Sequence, residues 1–294
     1  MNRVEGPLVS IVAVCFNHEQ FLIETLNSIR SQSYSNVQLI IADDWSKDNS
    51  VDVINRWIRK HSVNCELLVH DVNQGVCATL NEAFNLVRGQ YYQMIACDDV
   101  MLPDKIEKQV SILEKHKELS VIHSSAHRIN EDGEVLDYNF ILGENLEGMQ
   151  NSQLLLEGMI NSSKIIAPTI LYRTKHLPSK PLYDESYLYE DLYLNLRLLI
   201  EGRKFYFIDE PLAKYRVSST SLIRNTELKS RLMSDRMNIL RELLLGIDSR
   251  IDYELFTYFN SHIGFKQACL DFISGRIGLQ QFGMKLRSRL LKKK

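Results

Sequence analysis

The sequence is short of the residues that would staple, break or anchor a chain. Its 5 Cys (Cys15, Cys65, Cys77, Cys97 and Cys269) are odd in number and scattered, with no CxxC or Cys/His spacing. A disulfide framework and a structural zinc site are therefore unsupported. With 13 Gly and 6 Pro in 294 residues, collagen-like and low-complexity chains are excluded. No apolar run approaches the roughly 18–20 residues that cross a bilayer; the longest, Val9 to Phe16, has strand length. Met1 to Pro7 lacks the charged-then-apolar pattern of a signal peptide, so the expectation is a soluble, cytoplasmic protein. Excess charge is lacking too: a net −2 does not suit a dedicated nucleic-acid binder. That balance hides an asymmetry. Residues 1–271 carry −9, whereas Arg276, Lys285, Arg287, Arg289, Lys292, Lys293 and Lys294 make the remainder +7.

What is present can build a core. Hydrophobic residues make up 45% and charged ones 24%, enough apolar surface to offset the entropy of ordering. Strand and helix periods alternate over the first 125 residues or so. Val9–Phe16 reads as a strand buried on both faces, Val37–Ala42 as a second buried strand, and Glu66–Val69, Tyr91–Ala96 and Leu119–Ile122 as further strands. Between them, Leu22, Leu26 and Ile29, then Ile54, Trp57 and Ile58, then Leu80, Ala83, Phe84 and Val87 mark helix faces. Asn17 and Asp48 offer caps to the first two helices, Gly89 a stop for the third, and Pro103 a start for a fourth carrying Ile106, Val110 and Leu113. Such alternation predicts an α/β fold with a mostly parallel, doubly wound sheet. Further on, Asp132-Gly133 suggests a turn, and Thr169–Tyr172 and Phe205–Ile208 read as strands flanking a helix near Glu190–Glu201. From Thr226 the pattern is helical. The division expected is a domain over 1–222, with halves at about 8–125 and 126–222, and a helical extension over 223–294 with the basic tail.

In such sheets ligands bind beyond the carboxyl ends of the strands. Three of those ends are polar here: Phe16-Asn17, Asp43-Asp44-Trp45-Ser46 and Cys97-Asp98-Asp99, with Asn73-Gln74-Gly75 at a fourth. Neighbouring carboxylates repel unless a cation or a hydrogen-bonding ligand offsets them. Oxygen donors suit Mg²⁺ or Mn²⁺, which are usually held by one or two carboxylates plus phosphate oxygens. A nucleoside diphosphate bridged by such a metal explains the pattern economically. Taken singly, each acid pair also suits an ordinary loop that caps the next helix.

In order and spacing, these segments resemble family 2 glycosyltransferases of the GT-A fold. Val9 to Asn17 is similar to the family's opening strand, aromatic and Asn. Ser28-Ile29, Gln32 and Tyr34 match its "SI..Q.Y" segment, and Asp43-Asp44-Trp45-Ser46-Lys47-Asp48 resembles "DDGS.D". Asn73, Gly75, Asn81, Gly89 and Tyr91 fit "N.G....N.......G.Y", and Ala96-Cys97-Asp98-Asp99 resembles the metal-binding "D.DD". Downstream, Glu190-Asp191 resembles the acceptor-side "ED", and Glu210-Pro211-Leu212 with Tyr215-Arg216 resembles "EPL..YR". The likeness runs over about residues 8–221. It departs at Ala96 for the first acid, Trp45 for a common Gly, Ala13 for a frequent Pro, and Val217-Ser218-Ser219, where a His often follows.

The resemblance implies an inverting glycosyltransferase with a nucleotide-sugar donor, most commonly a UDP-sugar, and a glycan or lipid-linked glycan acceptor. Phe16 would stack near the base, and Asn17, Asn73 and Gly75 would help to bind the nucleotide sugar. Asp44 would hydrogen-bond the base and Asp43 would support the turn. Asp98 would lie near ribose and diphosphate, Asp99 would ligate Mn²⁺ or Mg²⁺, and with Ala96 in the motif both aspartates stay candidates for the metal. Asp191 would be the general base, with Glu190 beside it. A receiver-type signalling domain would leave the downstream motifs unexplained, whereas a non-catalytic nucleotide-sugar-binding scaffold shares them. In the tail, Leu279, Phe282, Leu286 and Leu290 would share one helical face bordered by basic residues. That face suits either core packing or a peripheral contact of residues 276–294 with anionic membrane at the inner face of the cell membrane.

Overall fold

The structure, a computed structural model, describes residues 6–140, 151–161, 165–217 and 226–245. Strands β1 (Val9–Cys15), β2 (Val37–Asp43), β3 (Cys65–Val69) and β4 (Tyr91–Ala96) alternate with helices α1 (Leu22–Arg30), α2 (Ser50–His61) and α3 (Val76–Phe84). After β4 come the short β5 (Val100–Met101), α4 (Lys105–Lys115), the hairpin β6 (Leu119–Ile129) and β7 (Val135–Phe140), and α5 (Ser152–Asn161). Strand β8 (Leu171–Arg173), α6 (Glu190–Ile200), β9 (Lys204–Arg216) and α7 (Thr226–Leu245) complete the described elements. All nine strands join one sheet in the order β3-β2-β1-β4-β8-β6-β9-β5, with β7 on β6. The first four are mutually parallel and β9 is parallel to β6; β8, β5 and β7 run antiparallel to their neighbours.

Alternation along the buried strands feeds two cores. Val12, Val14, Ile40, Ala42, Tyr92 and Met94 face α3, α5, α6 and α7, packing with Leu80, Leu156, Leu198 and Leu240. Ile11, Ala13, Leu39, Ile41, Tyr91 and Ile95 face α1, α2 and α4, packing with Leu26, Trp57 and Val110. Helices on both faces are why these strands read as continuous apolar runs. Each fully buried Leu or Ile contributes about 1.5–3 kcal/mol, so the ends of β1, β2 and β4 are held by a rigid interior.

Several local expectations shift. Asn17 does not cap α1: it takes left-handed backbone (φ 57), and its Oδ1 accepts the Lys47 N–H at 2.7 Å. Helix α3 stops at Phe84, short of Gly89. Gly89 is demanded by close approach, since a Cβ there would sit 2.5 Å from the Ser10 backbone nitrogen. Helix α4 begins at Lys105, past Pro103. Strand β6 runs on to Ile129, because His123, Ser124 and Ser125 are as buried as the apolar residues before them. Strand β9 continues through Pro211, where a register shift between Ser124 and Ser125 of β6 absorbs the missing N–H. Of the expected extension, 226–245 is helical, while the basic tail 276–294 lies outside the described residues.

Candidate active site

The carboxyl ends of β1 and β2 form a hydrogen-bonded knot. Cys15 pairs with Asp43 in the parallel register, and the Asp44 N–H donates to the Cys15 carbonyl at 2.9 Å. Buried Asp43 accepts the Ser46 N–H at 2.9 Å and the Ser46 hydroxyl at 2.6 Å. Ser46 Oγ in turn accepts the Asn17 N–H at 2.8 Å. Buried Asp44 is also surrounded by donors. Its Oδ1 takes the Gln74 N–H at 2.8 Å and lies 3.0 Å from His70 Nδ1, and its Oδ2 takes the Gly75 N–H at 2.8 Å. Gly75 reaches this position with φ 89, natural only to glycine. Asn73 adds a bond from Nδ2 to the Asp44 carbonyl at 3.3 Å. Asp44 therefore braces the Asn73–Gly75 turn at the start of α3, and Phe16 stands beside it, 43% exposed. Trp45 keeps the backbone that the glycine of "DDGS.D" would take, with φ 65, a conformation that costs a non-glycine residue about 1–2 kcal/mol.

A second acid pair sits beyond β4. Asp98 is partly exposed, with His18 Nε2 3.8 Å from its Oδ2; Asp99 is buried. Arg216, at the end of β9, ties this turn down. Its N–H donates to Asp99 Oδ1 at 2.9 Å and its Nε to the Asp98 carbonyl at 2.7 Å. The rest of the guanidinium meets the Asn130 and Glu131 carbonyls and the Glu24 carboxylate. Burial, and then the neighbouring Asp98 charge, push the Asp99 carboxyl well above its ordinary range.

The third cluster opens α6. Glu190 and Asp191 are half-buried in its first turn, where acids are favoured by the helix dipole. Asp191 Oδ1 accepts the Leu192 N–H at 2.6 Å. Burial and the Asp191 charge push Glu190 up to about 8. Burial raises Asp191 as well, opposed by the Leu192 N–H and by the Arg236 guanidinium. Helix α7 positions this turn from behind: the Leu188 N–H donates to Asp235 Oδ2 at 3.0 Å, and Tyr187 Oη to Glu242 at 2.8 Å.

The second and third clusters act on one side chain. Burial raises the Tyr215 hydroxyl far above its ordinary range, and the charges of Asp99, Asp191, Asp98 and Glu190 raise it further. Tyr215, on β9, thus lies within electrostatic reach of both acid pairs. The motif spacing gave no role to Arg216, Tyr215, His70 or Arg236. Tyr215 and Arg216 stood in a recognisable segment, but Arg236 carried no signal, being one basic residue of a helix.

A doubly wound sheet with acid pairs at the ends of β2 and β4, and a further acid pair opening α6, is the arrangement of a glycosyltransferase of the GT-A type. Residues 10–177 match the family described as Glycosyl transferase family 2, and the chain belongs to that family. It is 29% identical over 223 residues to EpsE of Bacillus subtilis (strain 168), a protein also named as a glycosyltransferase, spanning 75% of this chain and 77% of that one. Among solved structures it resembles S. aureus TarS 1–349 in complex with UDP-GlcNAc (TM-score 0.61, 14% identity, 90% of this chain and 81% of that one). It also resembles the mannosyltransferase PcManGT from Pyrobaculum calidifontis in complex with GDP-Man and Mn²⁺ (TM-score 0.60, 12% identity, 99% and 82%). No helix of the described residues is long and apolar enough to cross a membrane.

Proposed function

We propose that this chain is an inverting, metal-dependent glycosyltransferase that moves a sugar from a nucleotide-sugar donor to a hydroxyl of a glycan or lipid-linked glycan. The observation that carries the reading is a pair of acid clusters, from distant parts of the sequence, whose charges both reach the Tyr215 hydroxyl. Asp98 and Asp99 take the donor's side, within a half spanning about 8–125. Glu190 and Asp191 take the acceptor's side, within a half spanning about 126–222. Two structural neighbours are solved with UDP-GlcNAc and with GDP-Man and Mn²⁺, which supports a nucleotide-sugar donor here. UDP is the first nucleotide to try.

Asp98 and Asp99 fit Mn²⁺ or Mg²⁺. They are hard oxygen donors, one buried and pushed up by its neighbour's charge, a burden that a cation relieves. Among the described residues no cluster of three His, Cys, Asp or Glu can hold a metal, so the remaining coordination falls to the donor's phosphate oxygens, as Mg²⁺-type sites allow. When bound, such a metal offsets the charge that grows on the departing diphosphate. Phe16, Asn17, Asn73 and Gly75 border the base, Asp43 stiffens the turn, and Asp44 shapes the pocket with a lone pair left on Oδ2.

Of the acceptor pair, Asp191 is the base. Burial raises both carboxyls; the charge of Asp191 raises Glu190 further, whereas the Leu192 N–H and the Arg236 guanidinium oppose the rise at Asp191. Asp191 removes the acceptor hydroxyl proton while that oxygen bonds to the anomeric carbon and the bond to diphosphate breaks on the opposite face. The basic segment 276–294 is assigned to anionic lipid, near a lipid-linked acceptor.

The test is Asp191→Asn, assayed for transfer and for nucleotide affinity. Turnover should fall about 10²–10⁴-fold, with UDP or GDP binding unchanged. Equal turnover in the variant would remove Asp191 as the base; no turnover in the parent with any nucleotide sugar would favour the non-catalytic scaffold.

A further inference from the structure

Two aromatic rings remain in solvent at the donor end. Phe16 is 43% exposed and Trp45 is 38% exposed. The other tryptophan behaves in the ordinary way: Trp57 is buried, with its ring N–H on Asn27 Oδ1 at 2.9 Å. Trp45 is out of keeping in two respects. It exposes a large apolar ring, and it does so from left-handed backbone that glycine takes without strain. Strained residues of this kind gather at ligand sites.

The rings sit on two turns that are bonded to each other. The Asn17 N–H donates to Ser46 Oγ, and the Lys47 N–H to Asn17 Oδ1. Both turns lie past the carboxyl ends of β1 and β2, beside Asp44, where parallel sheets receive nucleotides. The Lys47 ammonium lies 2.9 Å from the Trp45 ring centroid, so one face of the exposed indole is engaged in a cation–π contact. An exposed, electron-rich ring on a turn bonded to the one that carries a second exposed ring can serve as a stacking platform with part of its ordering cost already met.

We propose that Trp45 is a base-stacking residue of the donor subsite, with the nucleotide's purine or pyrimidine lying against the indole and Phe16 as a second aromatic contact. Trp45 then sets how strongly the site holds a base, a role that the glycine common at this position does not have. The inference rests on the donor-site reading above.

The experiment compares the full-length parent chain with Trp45→Gly and Trp45→Phe. Calorimetry with Mn²⁺ measures binding of UDP, GDP, ADP, CDP and TDP, with inorganic pyrophosphate as the base-free control. Trp45→Gly should weaken the preferred nucleotide about 10-fold, leave pyrophosphate unchanged, and melt no lower than the parent. Trp45→Phe should keep most of the affinity. Nucleotide should quench the parent's fluorescence but not that of Trp45→Phe, where Trp57 alone reports. Equal nucleotide affinity in the parent and Trp45→Gly would overturn the role of Trp45 and leave the donor site standing. Equal loss of nucleotide and pyrophosphate would overturn it as well, because the ring would then matter only to the fold of the turn. If no nucleotide binds the parent, both the donor-site reading and this inference fall.

Discussion

The acids at the end of β2 and those at the start of α6 have the same chemistry and opposite surroundings. Asp43 and Asp44 are encircled by donors: two from Ser46, two backbone N–H groups from Gln74 and Gly75, and the His70 ring alongside. Glu190 and Asp191 crowd each other, with the Leu192 N–H on Asp191 and the Arg236 guanidinium nearby. Carboxylates surrounded by donors have their charge satisfied and act as braces. Carboxylates short of donors keep a raised pKa and remain available for a proton. Asp99 falls between these cases, braced by the Arg216 N–H but still pushed up by burial and Asp98.

Substitutions should separate braces from chemistry. The largest stability effect is expected at Arg216, whose guanidinium joins β9, the Asp98 turn, the Asn130–Glu131 turn and α1. Arg216→Met leaves several carbonyls without their donor and should cost about 2–3 kcal/mol in chemical denaturation. Metal-dependent nucleotide affinity should fall with it as the Asp98 turn loosens. If affinity held while stability fell, the turn would not depend on its brace. A smaller loss, about 1–2 kcal/mol, is expected for Asp43→Ala, which strips two bonds from Ser46. The same loss from an alanine at Asp191 would erase the distinction between the two regions.

A change of pH dependence distinguishes the two regions in a different way. Glu190 rises from an ordinary 4.5 to about 8 in the fold, so the folded chain holds that proton more tightly than the unfolded one. The associated stability is fully present below about pH 4.5 and is lost as pH rises through about 8. Glu190→Gln should flatten the decline in Tm between those limits, and melting curves at pH 5 and pH 9 read it directly. An unaltered pH slope would mean that Glu190 is not the crowded partner.

The parallel half of the fold was legible because β1, β2 and β4 are buried on both faces and carry almost nothing polar. Legibility failed where polar residues do the work of a core. His123, Ser124 and Ser125 disguised the length of β6, and Pro211 disguised the continuity of β9. Asn17 has the composition of a cap, but the turn it satisfies belongs to Lys47, 30 positions away. The acid pairs could be read because strand ends are where such residues gather. Arg216 and Arg236 could not be assigned, because their roles come from convergence of distant segments on one guanidinium. Trp45 was visible only as a departure until its backbone and exposure gave it meaning.

A single displacement with Asp191 as base inverts the donor's anomeric carbon, so the configuration of the first product reads the mechanism. Proton NMR of the linkage formed from an α-linked nucleotide sugar should show the β anomer from the first turnover. An α linkage would mean retention, and would contradict an acceptor oxygen attacking from the face opposite the diphosphate.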